Sequence, residues 1–308
     1  MAASTFACIF KEFSEERYYL FYTGSTGTDW SEDSCKASIG VATSPDGVNF
    51  TKYVGNPILS EGKISLTPAI FTCKGKYWMA FAFKPNQSTG RRLGLAVADN
   101  PLGPWNFVKP IGEPQYRWEG YDIDAGPSVV GLKDDEFVLF YSNVSNKIFF
   151  NPLSRLLGYG YWHRQIGFLK IKIYEKNVLV EKYADNPLKQ LNGRKGAWNE
   201  SLFCPGYFSL GDKHYLLPTA SCYSIGFPYK QYIGLVESFS PFFEKPVSKK
   251  ILISGPEEKA ELYPGAKGEL ALDTPSPIVR GNELWLYYAI MDRADGIWKT
   301  ALSIFSIS

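Results

Sequence analysis

The 308-residue chain is short of several things, and each shortage excludes a class of function. Cysteine is scarce: Cys8, Cys35, Cys73, Cys204 and Cys222 make an odd count with no Cys-x-x-Cys spacing. That argues against a disulfide framework and against a zinc site. There is no run or stripe of Lys and Arg, and the formal net charge is only +2. Nothing therefore directs the chain to nucleic acid. No apolar run approaches the roughly 18 residues of a membrane-spanning helix. The first residues, Met-Ala-Ala-Ser-Thr-Phe-Ala-Cys, lack a cationic stretch followed by an apolar core. The expectation is a reduced, cytoplasmic protein without a membrane partner. Helical periodicity is missing as well. The Gly-rich pieces sit in turns and not between a strand and a helix, so no phosphate loop is implied. No cofactor and no metal ligand set is expected.

What the chain has is aromatic side chains and repetition. Aromatics reach 16%, with 20 Tyr and 8 Trp. Such residues suit pleated strands, and flat rings also suit the apolar faces of sugars. Residues 18–50 set a pattern: Tyr18-Tyr19-Leu20-Phe21-Tyr22, a polar loop, Ile39-Gly40-Val41-Ala42, a Pro45-Asp46-Gly47 turn, then Asn49-Phe50. Four further units restate it. They open at Pro68-Ala69-Ile70-Phe71, Pro127-Ser128-Val129-Val130, Pro205-Gly206-Tyr207-Phe208 and Pro277-Ile278-Val279. Their third strands carry Leu93-Gly94, Ile166-Gly167, Ile233-Gly234 and Thr300-Ala301. Their closing strands are expected at Pro104–Phe107, near Val178 and at Phe242-Phe243, and the fifth unit ends without one.

Repeats of about four short strands at hairpin spacing predict an all-β fold, a five-bladed β-propeller with an incomplete last blade. Residues 1–308 are expected to form a single domain of this kind. Ile9, Ile70, Val129, Tyr207 and Ile278 fall on or beside the innermost strands. The loops entering each innermost strand, and those joining the second strand to the third, then meet at one mouth of the central channel. Loops on a rigid scaffold carry function disproportionately.

Those loops hold the unusual residues. They include Asp29 and Trp30, Arg91 and Arg92, Asp122 and Asp124, Tyr161, Trp162 and His163, Trp198 and Glu200, and Asp273. Carboxylates and guanidinium groups can fork sugar hydroxyls while rings cover the apolar face. The expected partner is a carbohydrate. His214, just after a turn, is read as structural.

The five units, Tyr-Tyr-Leu-Phe-Tyr-Thr with Ile-Gly-Val-Ala-Thr-Ser-Pro-Asp-Gly, and Asn100-Pro101-Leu102-Gly103-Pro104-Trp105 together resemble the five-bladed propeller glycoside hydrolases of families 43 and 32, with family 130 as a relative. The resemblance covers nearly the whole chain. It implies carboxylates at the starts of blades one, three and four, one protonating the leaving oxygen and another activating water or attacking the sugar. Asp124 lies where the blade-three Asp belongs, two residues further from its Pro. Glu200 is the acid leading into blade four, but Phe203 stands at the expected glutamate in Phe203-Cys204-Pro205. No acid precedes the first strand, and the family-43 His of blade five is absent from Thr274-Pro275-Ser276-Pro277.

The expected catalytic set is thus Glu200 as acid, raised by burial against Trp198 and Phe203, Asp124 as an ionised partner, and Asp29 or Asp273 for the missing blade-one Asp. Trp30, Arg92, Tyr161, Trp162, His163 and Asp273 are the expected sugar contacts, with Trp30, Tyr161, Trp162 and Asp124 in one cleft. Three functions fit: a glycosidase, a non-catalytic carbohydrate-binding propeller, and a phosphorylase or transferase using Arg91, Arg92 or Arg293.

Overall fold

The computed structural model describes residues 2–3, 8–12, 17–26, 35–85, 90–144, 163–175, 177–222 and 230–307. Within them the chain is strand after strand. Among the described residues the one α-helix is the four-residue Lys259–Leu262. Blade one comprises β2 (Cys8–Glu12), β3 (Arg17–Ser25), β4 (Ala37–Ser44) and the short β5 (Thr51–Lys52), with β1 (Ala2–Ala3) also pairing to β3. Blade two comprises β6 (Ile64–Cys73), β7 (Lys76–Lys84), β8 (Arg92–Ala98) and β9 (Asn106–Gly112). A single parallel bridge, Ala37 to Ile64, ties it to blade one. Blade three is β10 (Ile123–Lys133), β11 (Glu136–Asn143), β12 (Ile166–Ile173) and β13 (Val178–Lys182). Blade four is β14 (Ser201–Leu210), β15 (Lys213–Cys222), β16 (Lys230–Ser238) and β17 (Ser248–Ser254). Blade five stops at three strands, β18 (Leu270–Arg280), β19 (Glu283–Asp292) and β20 (Ile297–Ser306).

The innermost strands β2, β6, β10, β14 and β18 contact one another in ring order, and β18 returns to β2. The buried apolar residues follow the same geometry. They fall into five clusters, one at each junction between neighbouring blades. The junction of blades two and three is broad, from Leu66 and Phe71 to Ile123 and Leu139. The seam between blades five and one is the narrowest, with Ile9, Tyr18, Leu20, Trp285 and Tyr287 buried. A fully buried large apolar side chain contributes roughly 1.5–3 kcal/mol, so the seam is the weakest joint of the ring. No strand is exchanged there among the described residues. Ile9 N–H donates to Ser276 Oγ at 3.0 Å, and Tyr287 Oη–H donates to Gly47 O at 2.7 Å. The Pro45-Asp46-Gly47 turn is therefore a seam element. Asp46 Oδ1 accepts from the N–H groups of Val48 and Asn49.

The repeated Ile-Gly of the third strands has a packing cause. A Cβ at Gly167 would lie 2.7 Å from Asn186 Oδ1 and 2.9 Å from the Trp118 ring. The space goes to Asn186, whose side chain bonds both the N–H and the C=O of Phe168 and so extends the ladder beyond β13.

Two closing strands differ from the sequence expectation. Blade four closes with Ser248–Ser254. Phe242-Phe243 lies in the preceding turn, Phe243 with φ +55°, and both rings pack on blade three at Phe140 and Phe168. The aromatic pair belongs to the inter-blade core. In blade one the outer strand is Thr51–Lys52, just after Asn49-Phe50.

Candidate active site

The repeated prolines mark a repeated irregularity. The register of the first two strands slips between Leu66 and Ala69 in blade two, Ala125 and Val129 in blade three, Phe203 and Gly206 in blade four, and Asp273 and Ser276 in blade five. Each slip is a bulge just before or at the Pro, and bulges re-aim side chains. Thr67, Cys204 and Thr274 occupy the left-handed region at φ +50°, +41° and +49°. Such backbone costs on the order of 1–3 kcal/mol per residue and persists where surroundings enforce it. In blade three the place is taken by Gly126, where a Cβ would meet Pro205 O at 2.6 Å. A Cβ on Gly206 would meet Pro275 O at 2.1 Å. The bulges of blades three, four and five thus abut backbone to backbone, and the residues they carry converge at one level of the channel.

Asp124 sits just before the blade-three bulge and is buried. Thr67 Oγ1–H donates to its Oδ1 at 2.6 Å and Arg91 Nη1 to its Oδ2 at 2.7 Å. Arg91 is held in turn by Asp122, through both its backbone N–H and its Nε. Blades two and three therefore share one fixed ion pair. Directly across the ladder, the Ser142 hydroxyl is buried without a partner among the described residues.

Asp273 immediately precedes the blade-five bulge and keeps an edge open to solvent. Its Oδ1 accepts from Thr274 N–H at 2.7 Å, Thr274 Oγ1–H at 3.1 Å and Thr219 Oγ1–H at 3.4 Å. No hydrogen bond reaches Oδ2 from the described residues. The carboxyl is pushed up to about 6, chiefly because it is enclosed by protein and further by the charge of Asp124; Arg164 and the Thr274 donors act against the rise. Asp124, Asp273, Arg91 and Arg164 all act on the buried Cys204 thiol, whose ionisation burial strongly opposes. These five groups are one electrostatic cluster.

Arg164 lies over the ring of Phe203, 4.2 Å from its centroid, and donates through Nε to Val144 O at 3.2 Å. Phe203 and Asp273 hold the same place in their bulges, two residues before Pro205 and Pro275. So the acid missing from blade four has a counterpart of the same register in blade five.

The predicted residues divide accordingly. Asp124 and Asp273 are brought together. Glu200 is buried at the end of the loop before β14, where its Oε2 accepts from Gly196 N–H at 2.9 Å. Its charge acts on His163, whose half-buried imidazole is held below its usual value by burial, against the pull of Glu200. Arg92 Nε faces Glu113 at 3.8 Å, and its neighbour Arg91 meets the Asp124 carboxylate. Asp29, Trp30, Tyr161 and Trp162 lie outside the described residues. Sequence reasoning passed over Thr67 and Arg164, and it opened the fifth unit at Pro277; aligning blades two, four and five on Pro68, Pro205 and Pro275 marks Thr67, Cys204 and Thr274 as equivalent.

No group of three or more His, Cys, Asp and Glu among the described residues could hold a metal ion. No helix among them is long and apolar enough to cross a membrane.

No protein-family model matches the sequence, and no curated protein matches it. Solved structures do. A thermostable family-43 glycoside hydrolase superposes with TM-score 0.65 at 14% identity, over 100% of this chain and 91% of the other. An exo-1,5-α-L-arabinanase from a bovine ruminal metagenomic library gives 0.63 at 13% identity, over 99% and 94%. The Cellvibrio cellulosa α-L-arabinanase complexed with arabinohexaose gives 0.59 at 13%, over 99% and 92%. The chain has the fold of these glycoside hydrolases.

Proposed function

We propose that the chain is a glycoside-cleaving enzyme of one propeller domain, with its reacting groups at the blade-three and blade-five bulges. The observation that carries this reading is the unequal treatment of two neighbouring carboxyl groups. Asp124 has an ion-pair partner and a hydroxyl donor. Asp273 has one oxygen held and is pushed up to about 6. A pair with opposed environments is what glycosidic cleavage needs, one acid and one carboxylate. Asp273 donates its proton to the glycosidic oxygen as the C–O bond breaks. Asp124, paired with the Arg91 cation, stabilises the positive charge developing on the sugar. Asp29, from the blade-one loop, takes the proton of the attacking water. The likeness to arabinanase folds supports a saccharide substrate.

The test is turnover of a panel of aryl glycosides and oligosaccharides by wild type, Asp273→Asn, Asp124→Asn and Glu200→Gln. The first two should each lower kcat by about 10²- to 10⁴-fold, the usual size of acid–base catalysis. The wild-type rate should fall as pH rises through about 6. Full activity in Asp273→Asn with loss in Glu200→Gln would transfer the acid role to Glu200. A second reading, binding without cleavage, draws on Phe203 under Arg164 where the resemblance expects a blade-four glutamate. Saccharide binding with no turnover across the panel would establish it.

A further inference from the structure

We propose that the channel mouth selects an acidic saccharide, and that the Arg164 guanidinium receives its carboxylate. This deepens the reading of the mouth as a saccharide site. Arg164 is fixed at the joint of blades three and four. Its N–H donates to Ser201 Oγ at 2.9 Å, and its C=O accepts from Leu202 N–H and Asn192 Nδ2, each at 3.0 Å. The guanidinium lies on the Phe203 ring and spends only Nε, on Val144 O. Its two Nη groups make no hydrogen bond or ion pair with any described residue.

That is unusual for a half-buried cation, and Arg91 nearby shows the contrast. Arg91 is matched by both Asp122 and Asp124. Arg164 is left with the partial charge of Asp273, whose proton is retained into the mildly acid range. A planar two-donor edge stacked on an aromatic ring fits a carboxylate in bidentate fashion. A neutral sugar would leave the charge uncompensated.

The arrangement also links recognition to chemistry. Among the described residues Arg164 and Asp124 act on Asp273, with the Thr274 donors; Thr219 also bonds it, and Cys204 and Arg91 belong to the same cluster. Arg164 favours the ionised form of Asp273. An anion seated on Arg164 cancels that influence, so the acid keeps its proton when an acidic sugar is bound.

Calorimetry of the full chain with a galacturonate trisaccharide, a neutral galactose trisaccharide and a sulfated galactose trisaccharide tests this. Wild type should bind the uronate at least about tenfold more tightly than the neutral sugar, the scale of a charged hydrogen-bonded pair. Arg164→Gln should abolish the preference, weakening the uronate far more than the neutral sugar. Arg164→Lys, which keeps stem and charge without the fork, should retain part of it. Equal affinity of wild type for uronate and neutral sugar overturns the proposal, as does equal weakening of both ligands in Arg164→Gln. Equal affinity for the sulfated and uronate sugars overturns the carboxylate assignment. Product analysis of the same mixtures separates the two ideas. Acid preference without cleavage sustains this inference and defeats hydrolysis; cleavage without preference does the reverse.

Discussion

Two enclosed carboxyl groups in this ring are treated in opposite ways. Glu119, on the outer side of blade three, is completely buried. Its Oε1 accepts from Tyr141 Oη at 2.5 Å and Lys182 Nζ at 2.6 Å. Its Oε2 accepts from the N–H groups of Gln115 at 2.6 Å and Tyr116 at 2.9 Å. Four donors and a counter-charge fix it. Asp273 has three donors crowded on one oxygen and none of the described residues on the other. A carboxylate with both oxygens satisfied fastens loop to strand. A carboxyl enclosed but short of donors stores the free energy that makes it an acid. Burial alone does not separate structure from chemistry; the donor count does.

The largest effect should fall on rate at the under-donated group. Asp273→Asn keeps the volume and the Thr274 contacts and removes the transferable proton, so kcat should drop by about 10²- to 10⁴-fold. The matching change Glu119→Gln should leave the kcat of folded protein within about twofold. Its cost lies in stability, because Lys182 stays behind with a side chain only 9% exposed. Removing one member of a buried pair costs about 3–5 kcal/mol, readable as a lower urea midpoint. Adding Lys182→Met should restore part of that loss. A kcat loss in Glu119→Gln comparable to that of Asp273→Asn would erase the distinction.

Next in size is the stability of Asp273→Asn, and its sign is opposite. The folded value of about 6 stands above the ordinary 3.8. Between those values the native state binds more protons than the unfolded chain, so stability falls as pH rises through that window. Above pH 6 the penalty is complete. The 2.2-unit difference at 1.36 kcal/mol per unit is on the order of 3 kcal/mol. The Asn variant should therefore unfold at a higher temperature than wild type at pH 7 to 8, with the gap closing below pH 4. A variant that loses rate and gains no stability would mean that Asp273 is not held out of its preferred ionisation.

The fold could be read from the sequence because its cause is repetitive. Every unit has an aromatic strand, four have a glycine in the third strand and four a proline at the bulge, so the same words recur. Ile9, Ile70, Val129, Tyr207 and Ile278 lie on the five innermost strands as expected. Phe242-Phe243 misled because an apolar pair reads alike whether it ends a blade or fills the gap to the next. The site was legible only in part. Asp124 and Asp273 were named, but which carboxyl is the acid depends on donors that arrive from distant residues such as Thr219. Arg164 carries no sequence signal of its own; its position follows from its contacts with Ser201 and Phe203, distant in the chain.

Arg91 and Arg92 give the finest test, since adjacent residues of one chemistry face different surroundings. Arg92 is 24% exposed and faces Glu113, itself 59% exposed, at 3.8 Å. Its Nη1 otherwise reaches only the carbonyl oxygens of Arg91 and Gly90. An exposed pair of this kind contributes about 0–1 kcal/mol. Arg92→Gln should therefore shift stability by less than about 1 kcal/mol and leave kcat, KM and the pH profile unchanged. Arg91→Gln has the same chemistry and a different fate. It strips Asp124, only 5% exposed, of its cation at 2.7 Å. Without that cation the Asp124 charge bears more strongly on Asp273, which it already raises, so the fall of kcat near pH 6 should move to higher pH. The comparison is made by recording kcat against pH for both variants. A flat response to Arg91→Gln, or a displaced limb in Arg92→Gln, would show that the ion pair at blade three does not tune the carboxyl at blade five.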